Sequence, residues 1–148
     1  MERYPPIAEH GLIGSLQTAA LVATDGTVDW FCCPRFDAPS VFASLLDRDR
    51  GGHFRIAPEG EDHVARQLYF PDTAILITRF MTADGVGEVI DFMPVEDPKR
   101  VTDRHRLVRA VRTCSPRRPG SGGAGWPARP TGAAGGRWST ARPSPSSC

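Results

Sequence analysis

Residues 18–33 read Thr-Ala-Ala-Leu-Val-Ala-Thr-Asp-Gly-Thr-Val-Asp-Trp-Phe-Cys-Cys, and this stretch decides the fold class. Two runs of small, β-branched and aromatic residues flank Thr24-Asp25-Gly26-Thr27. The Asp-Gly pair supplies the positive backbone dihedrals of a tight hairpin turn. The same chemistry recurs downstream, where Asp84-Gly85 separates Thr73–Ala83 from Val86–Val95. There Ile75, Ile77 and Arg79 alternate with Leu76, Thr78 and Phe80. Two hairpins of one type suggest a meander.

Further strands are predicted over Gly52–Ala57, Val64–Phe70 and Arg104–Thr113, each alternating apolar with polar residues as a half-buried strand does. One short helix is predicted at Pro39–Leu46. Val41, Phe42, Leu45 and Leu46 share one helical face there, Asp37 or Ser40 is the cap, and Asp47–Gly52 is the stop. These elements specify an all-β, antiparallel β-sandwich carrying one short helix rather than an α/β fold.

The averages of the 148-residue chain, 40% hydrophobic and 24% charged, are those of a soluble globular protein. They hide a break. All 17 acidic residues fall between Glu2 and Asp103, while Arg117, Arg118, Arg129, Arg137 and Arg142 lie beyond Ser115. Residues 1–114 therefore carry a net −4 and the remainder +5. Ser115–Cys148 contains no Leu, Ile, Val, Phe or Met, and such a segment buries too little apolar surface to offset its conformational entropy. A disordered tail is expected over 114–148. Its Arg, Gly, Pro, Ala and Ser are residues of GC-rich codons, which suggests a frameshift near Thr113. A basic RNA-contacting tail, with Trp126 and Trp138 stacking on bases, is the competing reading.

Neither part has the concentrated basic face of a nucleic-acid binder, so no nucleic-acid partner is expected. Met1–Pro6 is charged and bears prolines, no apolar run approaches the roughly 20 residues that span a bilayer, and a cytoplasmic location without membrane contact follows. Cys32, Cys33, Cys114 and Cys148 match no zinc or redox spacing, and Cys32 or Cys33 reads as a small buried hydrophobe. His10, His53, His63 and His105 are too scattered to suggest a metal site, and no metal or other cofactor is expected. Arg104, Arg106, Arg109 and Arg112 form a positive stripe, read as a solvated strand face opposite acidic neighbours.

From Ile7 to Phe42 an ordered series appears: Ile13-Gly14, Thr18–Val22, Asp25-Gly26, Asp29-Trp30, then Pro34-Arg35-Phe36-Asp37 with Pro39. It resembles the opening of bacterial glycoside hydrolase family 15 proteins, the glucoamylases and trehalases. The likeness extends through Tyr69–Thr73, Asp91–Pro94 and His105–Arg109 and stops near Arg112. Ser15 stands where Asn or Asp is typical, and Ala38 where Ser is common.

The resemblance implies an incomplete, supersandwich-like N-terminal β-sandwich domain over 1–113. Catalysis in the family inverts an α-glucosidic linkage with two glutamates carried on an (α/α)6 barrel that follows the sandwich. No acidic residue of this chain matches either glutamate, so no catalytic residue is assigned. The partner implied is the catalytic barrel of an intact protein, and an α-glucoside such as trehalose is the implied sugar. Trp30, Arg35 and Asp37 are the candidate substrate-adjacent residues, on a loop stiffened by Pro34 and Pro39. On the alternative reading Arg35 and Asp37 pair to close the turn and Trp30 fills the core. For the whole chain the alternatives are a stand-alone carbohydrate-binding or scaffold module and a non-functional frameshifted product.

Overall fold

The computed structural model describes residues 4–60, 62–95, 97, 104–114 and 128–131. Among the described residues ten strands run β1 (His10–Gly14), β2 (Ala19–Ala23), β3 (Thr27–Cys32), β4 (Ser40–Phe42), β5 (His53–Ile56), β6 (Val64–Tyr69), β7 (Leu76–Thr82), β8 (Gly85–Phe92), β9 (Val108–Cys114) and β10 (Ala128–Thr131). They form two antiparallel sheets. The first has the order β1-β2-β3-β5-β10 with β4 also paired to β3, and the second is β6-β7-β8-β9.

The sheets pack face to face. Ile13, Ala20, Val22, Val28, Phe31 and Phe42 from the first meet Leu76 and Met93 from the second side of the sandwich, while Ile56 and Ala57 meet Phe80 and Val89. Burial of these side chains at about 25 cal/mol per Å² is the main force joining the layers. The layers come close at Gly11, where a Cβ would stand 2.4 Å from Cδ2 of Leu76.

Both predicted Asp-Gly hairpins form. Gly26 has φ +82°, its N–H donates to the Ala23 carbonyl at 2.9 Å, and β2 and β3 pair across it. Gly85 has φ +149° at the start of β8, which pairs with β7 in unbroken register from Leu76↔Asp91 to Thr82↔Gly85.

Three features differ from the sequence reading. The helix expected at Pro39–Leu46 is absent. Ser40–Phe42 is instead strand β4, with Phe42 opposite Phe31, and turns follow in which Ala43 and Ser44 donate to the Gly51 and Gly52 carbonyls. Cross-strand burial of Phe42 outweighs a weak helical periodicity. The only helical turn among the described residues is the 3-10 segment Ile7–Glu9. A strand not foreseen, β1, occupies the edge of the first sheet. Finally, the described part of the tail, Ala128–Thr131, pairs antiparallel with β5, and residues 115–127 and 132–148 lie outside the described residues. Pro130, which has no N–H to donate, sits in a strand at a sheet edge, the position where proline is tolerated.

Among the described residues, no helix is long and apolar enough to cross a membrane.

Candidate functional site

Alternation along β1, β2 and β5 sends Ile13, Val22 and Ile56 inward and His10, Ala23, His53 and Arg55 to the outer face of the first sheet. On that face lies a cleft of about 590 Å³. Its floor is sheet (Ala23, Thr27, Asp29, His53). One wall is the N-terminal segment with Tyr4 and Glu9, and the other is the turn bearing Ser44, Leu45 and Arg48.

The two walls are tied together. The Arg48 backbone N–H donates to the Tyr4 hydroxyl at 3.3 Å, and the Arg48 guanidinium lies 5.1 Å from the Tyr4 ring centroid. A cation over a ring at that distance is attractive by about 0.5–1 kcal/mol at an exposed site.

Asp29 enters the cleft through an irregularity in β3. The register passes from Leu21↔Trp30 to Val22↔Val28, so Asp29 is the additional residue of a bulge, and bulges turn a side chain away from strict alternation. The result is a buried pair: His10 Nε2 lies 2.7 Å from Asp29 Oδ2, with side chains 1% and 6% exposed. His10 Nδ1 lies 2.9 Å from the Pro6 carbonyl. Both ring nitrogens thus face acceptors. The other carboxylate oxygen, Oδ1, is buried and has no hydrogen-bond partner. At the rim, Asp25 accepts from the Thr27 N–H at 3.0 Å, and Arg55 Nε lies 3.5 Å from Asp25 Oδ2.

The residues singled out from the sequence lie elsewhere. Arg35 and Asp37 meet each other, Nε to Oδ1 at 3.0 Å and Nη2 to Oδ2 at 3.2 Å, with side chains 70% and 72% exposed. Phe36 projects between them, and Ala38 N–H closes the turn on the Arg35 carbonyl at 3.1 Å. Trp30 is half-buried opposite Leu21, belongs to neither core cluster and does not line the cleft. The His10–Asp29 pair was invisible in the sequence because nothing local joins residues so far apart.

Two further carboxylates are buried. Asp91 lies between the sheets, held by Arg109 through Nε to Oδ1 at 2.7 Å and Nη2 to Oδ2 at 3.1 Å. Arg109 also donates to the Phe54 carbonyl at 2.6 Å and the Gly26 carbonyl at 2.7 Å. Burial pushes the Asp91 carboxyl up, against the pull of the guanidinium. Arg109, read from the sequence as part of a solvated stripe, is therefore a buried link between the layers. Glu88, on the opposite face of β8, takes Arg79 on one oxygen and Arg112 on the other. Burial alone would raise this carboxyl, but the hydrogen bonds and charges of the two arginines outweigh it and hold Glu88 below its ordinary value.

The family described as trehalase-like, N-terminal matches residues 1–118. The chain is 38% identical to a trehalase of Thermoplasma volcanium over 74% of its own length and 18% of that protein's, and 39% identical to a trehalase of Mycobacterium tuberculosis over 74% and 15%. A trehalase of Mycolicibacterium smegmatis is 43% identical over 55% and 12%. The chain thus spans less than a fifth of the length of these relatives. No solved structure matches.

Proposed function

The chain belongs to the trehalase-like N-terminal family, and on that premise we propose that it is a non-catalytic supporting domain of a glycoside hydrolase. The intact protein, by its resemblance to family 15, cleaves an α-glucosidic bond with inversion, trehalose being the substrate indicated by the relatives' names. In this reading residues 1–113 form the sandwich that abuts a separate catalytic barrel, Ala128–Thr131 only adding a strand at the edge of its first sheet, and Trp30, Arg35 and Asp37 border the junction. A cytoplasmic location accompanies it, in keeping with the free thiols of Cys32 and Cys33.

The supporting observation is where the buried carboxylates point. An inverting glycosidase sets an acid and a base about 6.5–9.5 Å apart across one cavity so that a water fits between them. Here Asp29 faces the outer cleft, Asp91 lies between the sheets and Glu88 sits on the far face of the second sheet. Each is already matched to His10, Arg109 or the Arg79–Arg112 pair. Among the described residues the three buried carboxylates lie on three surfaces, and the other two that line the outer cleft, Glu9 and Asp25, are exposed, with Asp25 paired to Arg55.

A domain exchange tests this. Residues 1–113, substituted for the matching segment of the M. smegmatis trehalase, are expected to give a chimera that hydrolyses trehalose, whereas deleting that segment abolishes activity. Turnover of trehalose by the purified 148-residue chain above a boiled control would overturn the reading.

A further inference from the structure

We propose that the cleft on the outer face of the first sheet binds a neutral, polyhydroxylated ligand of mono- to disaccharide size, with the buried Asp29 carboxylate accepting one of its hydroxyls. This is a property of the chain alone and goes beyond the supporting role, since it does not depend on whether an intact protein cleaves anything.

The first ground is Asp29 itself. It is 4% exposed, lines the cleft, and has one oxygen bound to His10 while the other is buried without a partner. A buried carboxylate oxygen left unsatisfied is costly, so a ligand donor at that position recovers free energy that the unliganded chain forgoes.

Charge sets the class of donor. The lining mixes three carboxylates, Glu9, Asp25 and Asp29, with two guanidinium groups, Arg48 and Arg55, and Asp25 is paired with Arg55 at the rim. A lining of mixed sign with one carboxylate in excess offers no net attraction for an anion, and among the described residues no cluster of His, Cys, Asp or Glu could hold a metal ion. What it does offer is interleaved donors and acceptors, carboxylates beside guanidinium groups and the hydroxyls of the threonine and serine positions, which is the complement of a ligand carrying several hydroxyls.

Size agrees. Small-molecule sites occupy about 300–1,000 Å³, and the 590 Å³ cleft falls within that range. It is open on one side, so binding in the millimolar range, on the order of 4 kcal/mol, is expected.

The test is titration of the ¹⁵N-labelled 148-residue chain with trehalose, glucose and glucosamine, followed by amide shifts. Saturable shifts at Thr24, Thr27 and Leu45 with trehalose or glucose are expected, weakened about tenfold by Asp29→Asn, as the loss of one hydrogen bond to a charged group predicts. Thr24→Phe, which fills the cleft from its wall and leaves the His10–Asp29 pair intact, is expected to abolish them and decides the matter if the Asp29 variant does not fold. Three results would overturn the proposal: no saturable shift with either neutral sugar up to about 100 mM, where a site of that affinity is filled; tighter binding of the cationic glucosamine than of glucose; or neutral-sugar shifts that persist in the folded variants.

Discussion

Arg109 holds more of this fold than any other single polar side chain described. With 2% of its side chain exposed it binds Asp91 through two nitrogens and two first-sheet carbonyls, and it lies 4.9 Å from the Phe54 ring centroid. Removing one member of a buried ion pair strands the other, at a cost of about 3–5 kcal/mol. Arg109→Met is therefore expected to lower the urea midpoint by that equivalent. Arg109→Met combined with Asp91→Leu should recover most of the loss, because the pair's desolvation penalty goes with it. A double variant no more stable than the single would refute the pairing.

The Gly26 turn feeds the same junction. Its φ of +82° is strained for any other residue, and a Cβ there would stand 2.1 Å from the Ile56 carbonyl oxygen. Gly26→Ala is expected to cost at least the roughly 1–3 kcal/mol of a strained backbone residue, read from the same denaturation curve. The glycine was legible in the sequence as a turn former. Its second task, presenting a carbonyl to Arg109, was not, because that contact joins residues far apart in the chain.

Among the elements, β1 and β8 show two kinds of control. The β1 strand is an edge, and an unpaired edge invites other chains. Here the Tyr69 hydroxyl reaches across from β6, accepting from the Leu12 N–H at 2.8 Å and donating to the Leu12 carbonyl at 2.9 Å. Tyr69→Phe frees both groups. The expected outcome is faster hydrogen exchange at the Leu12 amide, with about 0.5–1.5 kcal/mol lost per hydrogen bond removed. Unchanged exchange at that amide would count against the edge-capping role.

Reading β1 from sequence fails for a physical reason. Its inward positions include Gly11, which is glycine because Leu76 occupies the space of its Cβ, so the alternation of apolar side chains that reveals β7 is missing. On β8 the outward Glu88 is held between Arg79 and Arg112, with its carboxyl below the ordinary value. A lowered carboxyl stabilises the fold above its unfolded value, near 4.5, and that contribution disappears as pH falls through the folded value. Wild type is thus expected to exceed Glu88→Gln in stability at neutral pH and to converge with it under acid conditions. A constant gap between the two from pH 7 to pH 3 would contradict the assignment.

At the scale of the whole molecule, the two faces of the second sheet raise the question of what covers its outside. The register aligns Leu68, Ile77, Ile90 and Ala110 in one outward row across all four strands, with Phe92 opposite Val108 in the next. Val64, Met81 and Val86 form another row on the far side of the charged one. An antiparallel sheet that meets water on one side ordinarily alternates apolar inside with polar outside. This one departs from that rule, and Val64 is 56% and Leu68 40% exposed. Apolar rows on either side of the charged row of Arg66, Arg79, Glu88 and Arg112 mark an interaction surface or a liability to aggregate. It fits the supporting role proposed above.

The isolated chain is accordingly expected to self-associate as its concentration rises, by light scattering after size exclusion. The outward apolar rows should govern that behaviour. Leu68→Lys with Val64→Lys changes half-exposed positions outside both core clusters, so it is expected to leave the melting transition nearly in place while shifting the chain toward monomer. Polar replacements at the exposed loop residues Phe36 and Leu46 should have little effect, since neither lies on the sheet. If the loop replacements gave monomer and the lysine pair did not, association would run through the loops, and the outward face of the second sheet would lose its claim as the docking surface.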